Sequence, residues 1–168
     1  MLRRDFLKFL GLAGVAAATP LMAAANAPLS YATAEEAEQY FESRTLTENE
    51  ILLRFDFSGT PLSIAARKGK FTYTEEQDLQ FIYERGELDA IQPRDKWFDF
   101  SLDIEIETIS DPDFYQKIKA TRLFDLIVTL PEQQFTLTDS LWDRLSYDPA
   151  TQFFAMTGRM KDLTIWSP

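Results

Sequence analysis

Between Trp97 and Thr108 the chain alternates without a break. Phe98, Phe100, Leu102, Ile104 and Ile106 fall on one side, and Asp99, Ser101, Asp103, Glu105 and Glu107 on the other. Side chains of period two describe an antiparallel strand with one face in the core and one in water. Ile51, Leu53, Phe55 and Phe57 repeat the pattern over a shorter run that ends at Gly59-Thr60-Pro61. Phe124, Leu126, Val128 and Leu130 predict another strand, turning at Pro131-Glu132, and Phe135 and Leu137 continue the sheet. Leu62, Ile64 and Ala66 before Lys68-Gly69, with Phe71 and Tyr73 after it, predict a hairpin turning at that pair. The stretch after Thr74 fits a strand with Leu79, Phe81 and Tyr83 on one face; a helix capped by Thr74 is the alternative.

Helical signals are shorter. Thr33-Ala34-Glu35-Glu36 reads as a capping box opening a helix to Ser43, with Ala37, Tyr40 and Phe41 on one face. Asp111-Pro112-Asp113 starts a second, with Phe114 and Ile118 towards the core. Thr138-Asp139 predicts a third, carrying Leu141, Trp142 and Leu145, and Asp148-Pro149 opens a helical turn through Phe153 and Phe154. Gly158 precedes an extended piece to Trp166. The sum is an α+β domain, a curved antiparallel sheet with short helices packed on one side. A cone-shaped sheet of the nuclear-transport-factor-2 type and a closed β-barrel are the alternative arrangements.

The first residues follow a different logic. Arg3-Arg4 precede Phe6, Leu7 and Lys8, and an Ala/Gly-rich apolar run extends from Phe9 to Met22. Ala23-Ala24-Ala25 offers small residues for a signal peptidase. This layout resembles a bacterial twin-arginine (Tat) export signal, an address read by a receptor. The resemblance implies recognition by the Tat translocase, cleavage after Ala25 and a periplasmic destination. Residues 26–33 then form a linker, and residues 34–168 one domain.

Charge and missing residue types narrow the chemistry. Residues 26–168 keep 14 of the 17 basic and 26 of the 27 acidic residues. Such an acidic surface repels phosphate backbones, so nucleic acid is not an expected partner. Cysteine and histidine are both absent from the sequence. Disulfides, triad catalysis and the usual zinc, haem and iron–sulfur ligands go with them, so no cofactor is expected. No catalytic residue stands out, and the enzyme question leans towards no. The stripe Asp99, Asp103, Glu105 and Glu107 spaces its carboxylates roughly 6–7 Å per step along a line. A line cannot close the oxygen shell that calcium requires, so it reads as a solvated face and not as a metal site.

Residues 135–161 resemble the last third of sterol-carrier-protein-2-like domains. The likeness rests on Thr138-Asp139, Leu141 and Leu145, Asp148-Pro149, Phe153-Phe154 and Gly158-Arg159-Met160-Lys161. It implies an apolar tunnel between sheet and C-terminal helices that shelters lipid tails. The abundance of aromatic residues points the same way, towards a pocket walled by Phe98, Phe100, Phe124, Trp142, Phe153 and Phe154. The expected function is therefore an exported carrier of a small apolar ligand. The alternative is a non-catalytic accessory subunit, exported together with a Tat-dependent redox enzyme that itself carries the cofactor.

Overall fold

The computed structural model describes residues 29–30 and 33–167. The twin-arginine segment, with Arg3, Arg4, Phe6, Leu7 and Lys8, lies outside the described residues. Among the described residues eight strands and two helices follow one another. They are β1 (Leu29–Ser30), α1 (Ala34–Ser43), β2 (Ile51–Asp56), β3 (Pro61–Glu84), β4 (Glu87–Ile109), α2 (Phe114–Ala120), β5 (Leu123–Thr129), β6 (Gln134–Asp148), β7 (Phe153–Met160) and β8 (Asp162–Trp166).

The expected α+β fold is overturned. Six antiparallel strands close on themselves in the order β4-β3-β2-β5-β6-β7, with β7 returning to pair with β4. Closure turns the sheet's apolar face inward, so α1 packs on the outer wall, burying Ala37 and Phe41 against Ala65, and among the described residues no helical layer covers the core. The inward face is a single apolar core in which Leu53, Phe55, Ile64, Leu102, Ile104, Ile106, Leu126, Val128, Leu137 and Phe154 are fully buried. β8 continues the path of β7 along β6, and β1 adds a short parallel pairing to β4. Helix α2 closes one end: Phe114 packs edge-on against Tyr147 at 4.9 Å and meets Phe154 at 5.9 Å. The Trp142 indole N–H donates to the carbonyls of Ile118 and Thr121, at 3.2 and 3.0 Å, pinning the helix to β6.

The helix predicted from Thr138-Asp139 is strand β6, and the Asp148-Pro149 turn connects β6 to β7. β6 carries two register breaks, one facing the step from Phe124 to Leu126 of β5 and one between Trp142 and Arg144. Each inserts an extra residue, so the inward positions become Phe135, Leu137, Ser140, Trp142, Leu145 and Tyr147. Spacings of two and three alternate, and a bulged strand then imitates a helical stripe. Asp139 takes the left-handed backbone of the first bulge at φ 52°, and its N–H donates to the Asp125 carboxylate at 2.9 Å. The residues that resembled a helix cap are thus a bulge.

The predicted turn at Lys68-Gly69 is also absent. β3 runs straight through it and turns at Arg85-Gly86, where both residues have positive φ. Gly69 serves close packing instead, since a Cβ there would stand 2.6 Å from Ile51 Cδ1 and 2.9 Å from Ile104 Cγ2. The strand read from Trp97 to Thr108 is the later part of β4, which begins already at Glu87. The first two helical signals form as read, with the Thr33 hydroxyl accepting from the Glu36 N–H at 3.2 Å.

Candidate functional site

β3 and β4 are far longer than the barrel needs. β2 leaves β3 at Ala66, and β7 leaves β4 at Phe98. Past Gly69, whose N–H donates to the Asn49 carbonyl at 3.2 Å, and past Phe98, the two strands pair only with each other among the described residues, out to the tip. Residues 87–97 alone extend the ribbon by roughly 36 Å at the usual rise per residue. It leaves the barrel at the end opposite α2, because β4 meets Phe153 at Glu105 and Met160 at Phe98.

Cross-strand partners share a face, so the register fixes what the arm displays. Leu79 lies opposite Pro93, Phe81 opposite Ile91 and Tyr83 opposite Leu88. These six side chains form one apolar stripe in which Leu79, Phe81, Tyr83, Leu88 and Ile91 are each 46–65 % exposed. The strand reading of Leu79, Phe81 and Tyr83 therefore holds, but these residues cover no core. At the arm's base Lys96 bridges to Glu75 at 2.7 Å and sits over the Phe98 ring at 5.2 Å. That polar pair divides the stripe from the barrel core. Seven carboxylates and three cations flank the stripe between residues 75 and 97. The arm is an acidic ribbon with an apolar face, an arrangement that marks interaction sites.

The six aromatic residues expected to wall a pocket are dispersed. Phe100, Phe124 and Phe154 are buried in the barrel core, and Phe98 and Trp142 pack against it. Phe153 is exposed, as is Asp148 beside it on β6, while Glu105 beside it on β4 is half-buried. Periodicity found the burial of Phe100 and Phe124; Trp142, Phe153 and Phe154 lie on strands where helices were expected.

The acidic stripe on β4 is held by arginines from neighbouring elements. Asp99 lies 3.7 Å from Arg159, Glu105 pairs with Arg67, and Glu107 accepts from Arg44 at 2.7 Å. Among the described residues no group of three or more acidic side chains gathers where a metal ion could sit. Arg44 also pairs with Glu50 and with the Tyr40 hydroxyl, tying α1 to β4. Burial pulls the Arg44 guanidinium down, but Tyr40, Glu107 and Glu50 together raise it above its ordinary range. Bonds from the Thr47 N–H and hydroxyl, with Arg44 assisting, hold the Glu50 carboxyl below the usual carboxylate range.

The outer surface of the described residues carries concavities. A cleft of about 490 Å³ is lined by Glu48 and the turn Leu130-Pro131-Glu132-Gln133. A larger one, about 670 Å³, runs between α1 and the outer face of β2 and β5, floored by Leu52, Arg54 and Ile127. None of the six predicted aromatics lines either.

Fold and surface together define a class: a closed six-stranded antiparallel barrel with a buried apolar interior and a projecting two-stranded arm. No protein-family model matches the sequence, and no curated protein does.

Proposed function

We propose that this chain is an exported, non-catalytic accessory subunit that docks onto a partner protein through the apolar face of its β3–β4 arm. The observation that carries the reading is the bare stripe Leu79, Phe81, Tyr83, Leu88, Ile91 and Pro93. A two-stranded ribbon is marginal in water without a layer over its apolar face. Covering these residues stabilises by about 25 cal/mol per Å² of apolar surface removed from water. The flanking charge selects the occupant. An excess of carboxylates along the arm favours an apolar surface rimmed by lysine and arginine. It disfavours a second copy of a chain whose net charge is −10.

The twin-arginine segment supplies the route. The Tat pathway takes folded cargo, so a subunit already docked on a cofactor-bearing enzyme leaves with it. Replacing Arg3 and Arg4 by lysine blocks export of this chain if the route is the Tat translocase; unchanged export removes that half of the reading.

Docking is tested by placing a photo-cross-linking residue at Phe81, at Ile91 and, as a control on the barrel's outer face, at Asp103. One defined polypeptide cross-linked from both arm positions but not from Asp103 supports the proposal. Its association weakens with added salt and is lost in a Phe81→Ser/Ile91→Ser variant of unchanged melting temperature. Cross-links to a second copy of this chain, or association indifferent to the arm substitutions, overturn it.

A further inference from the structure

The cleft beneath α1 collects charges of both signs that the protein leaves unmatched. Arg54 points outward from the middle of β2, with Ser63 and Ile127 as its cross-strand neighbours and no carboxylate directly opposite. Among the described residues Arg54 enters no ion pair or hydrogen bond, whereas Arg44, Arg67 and Arg159 each hold at least one carboxylate. Arg85, Arg94, Arg122 and Arg144 hold none there either, and what matters at Arg54 is its place in a cleft whose lining includes Glu38 and Glu42. Across the cleft, Glu38 and Glu42 stand one turn apart on α1 and share a face. They too are exposed and unpaired among the described residues. Phe41, Leu52 and Ile127 supply an apolar strip in the same cleft. A volume of about 670 Å³ is in the range that holds a small organic ligand.

We propose that this cleft binds a small zwitterion of the amino-acid or short-peptide type with an apolar side chain. Its carboxylate pairs with the Arg54 guanidinium, a planar fork suited to that group. Its ammonium faces Glu38 and Glu42, and its side chain lies along Phe41, Leu52 and Ile127. A purely anionic amphiphile would satisfy Arg54 but meet both glutamates. A cationic one would do the reverse. Only a ligand carrying both charges uses the whole site, and the site is separate from the arm.

The test titrates the purified protein with L-leucine, N-acetyl-L-leucine and L-leucinamide, following backbone amide shifts by NMR. Leucine shifts the amides of Leu52, Arg54, Ile127 and α1, and each blocked derivative binds at least about tenfold more weakly. Arg54→Gln weakens leucine by a similar factor and does not weaken leucinamide, whose like charge it no longer faces. Glu38→Gln/Glu42→Gln weakens leucine and does not weaken N-acetyl-leucine, for the same reason. All these side chains are exposed, so the free variants keep the wild-type melting temperature. The proposal is overturned by the absence of leucine-dependent shifts at these residues, or by equal affinity for leucine and its blocked forms. Phe81→Ser leaves leucine binding intact, so failure at the cleft and failure at the arm are separate results.

Discussion

Phe100 and Ile91 lie on the same strand, nine residues apart, and both belong to an apolar row facing an aromatic partner on β3. Phe100 is 3 % exposed and Ile91 53 %. The first is covered because β2, β5, β6 and β7 complete a barrel around it. The second continues the same hairpin into solvent, where no layer of the described residues follows. An apolar row on a strand therefore states that something covers it, and leaves open whether the cover is this chain or another.

The largest test of that difference is truncation on either side of it. Leu102→Ala or Phe154→Ala in the barrel costs about 3–5 kcal/mol of unfolding free energy. Phe81→Ala or Ile91→Ala on the arm changes it by no more than about 0.5 kcal/mol. Urea unfolding of the isolated protein reads both. Equal costs would show that the stripe is already covered and would end the comparison.

Glycines sharpen it next. A Cβ on Gly158 in β7 would stand 2.1 Å from the Leu141 carbonyl oxygen, against backbone that cannot swing aside. Gly158→Ala is expected to cost about 3 kcal/mol, at the upper end for overpacking. Gly86 at the arm tip has open space around it and needs only its positive φ of 88°. Gly86→Ala costs about 1–2 kcal/mol through backbone strain alone, again by urea unfolding. A larger loss at Gly86 than at Gly158 would mean that the tip is packed against something.

These contrasts also mark what could be read from the sequence. The alternation from Trp97 to Thr108, the strand at Ile51, the cap at Thr33 and the Phe114–Ile118 helix were all legible, because each obeys one local period. β6 was not. Its two bulges mix spacings of two and three, and Thr138-Asp139 carries the residues of a helix cap at a bulge whose Asp139 has φ 52°. Gly69 was read as a turn because close approach to Ile51 and Ile104 depends on the tertiary arrangement. Barrel closure hinges on the pairing of β4 with β7, a long-range contact that no local pattern encodes. Of the candidate sites, the arm was legible as a stripe but not as an uncovered one. Arg54 gave no signal, since its lack of a carboxylate partner appears only once three strands are set side by side.

The smallest effects concern charge, where the two regions part again. Glu50, beside Arg44 on the barrel, has its carboxyl held low by Thr47 and Arg44. At Asp111 burial pushes the carboxyl up, but the Lys117 ammonium and the Asp113 N–H outweigh it and hold it low. A carboxyl lowered on folding contributes stability that is present above its ordinary range, about pH 4. That stability is lost as pH falls through the lowered, folded value. Unfolding free energy should therefore fall on acidification below about pH 4. Glu50→Gln should lower it near neutrality and flatten the acid limb. The arm's Glu75–Lys96 pair has both side chains half exposed, and solvent screens it. Lys96→Ala should shift stability by less than about 1 kcal/mol, and less still in high salt. If Lys96→Ala instead matched Glu50→Gln, the arm's base would be shielded from water in the isolated protein. The stripe beyond it would then have a cover within this chain, and the partner would be superfluous.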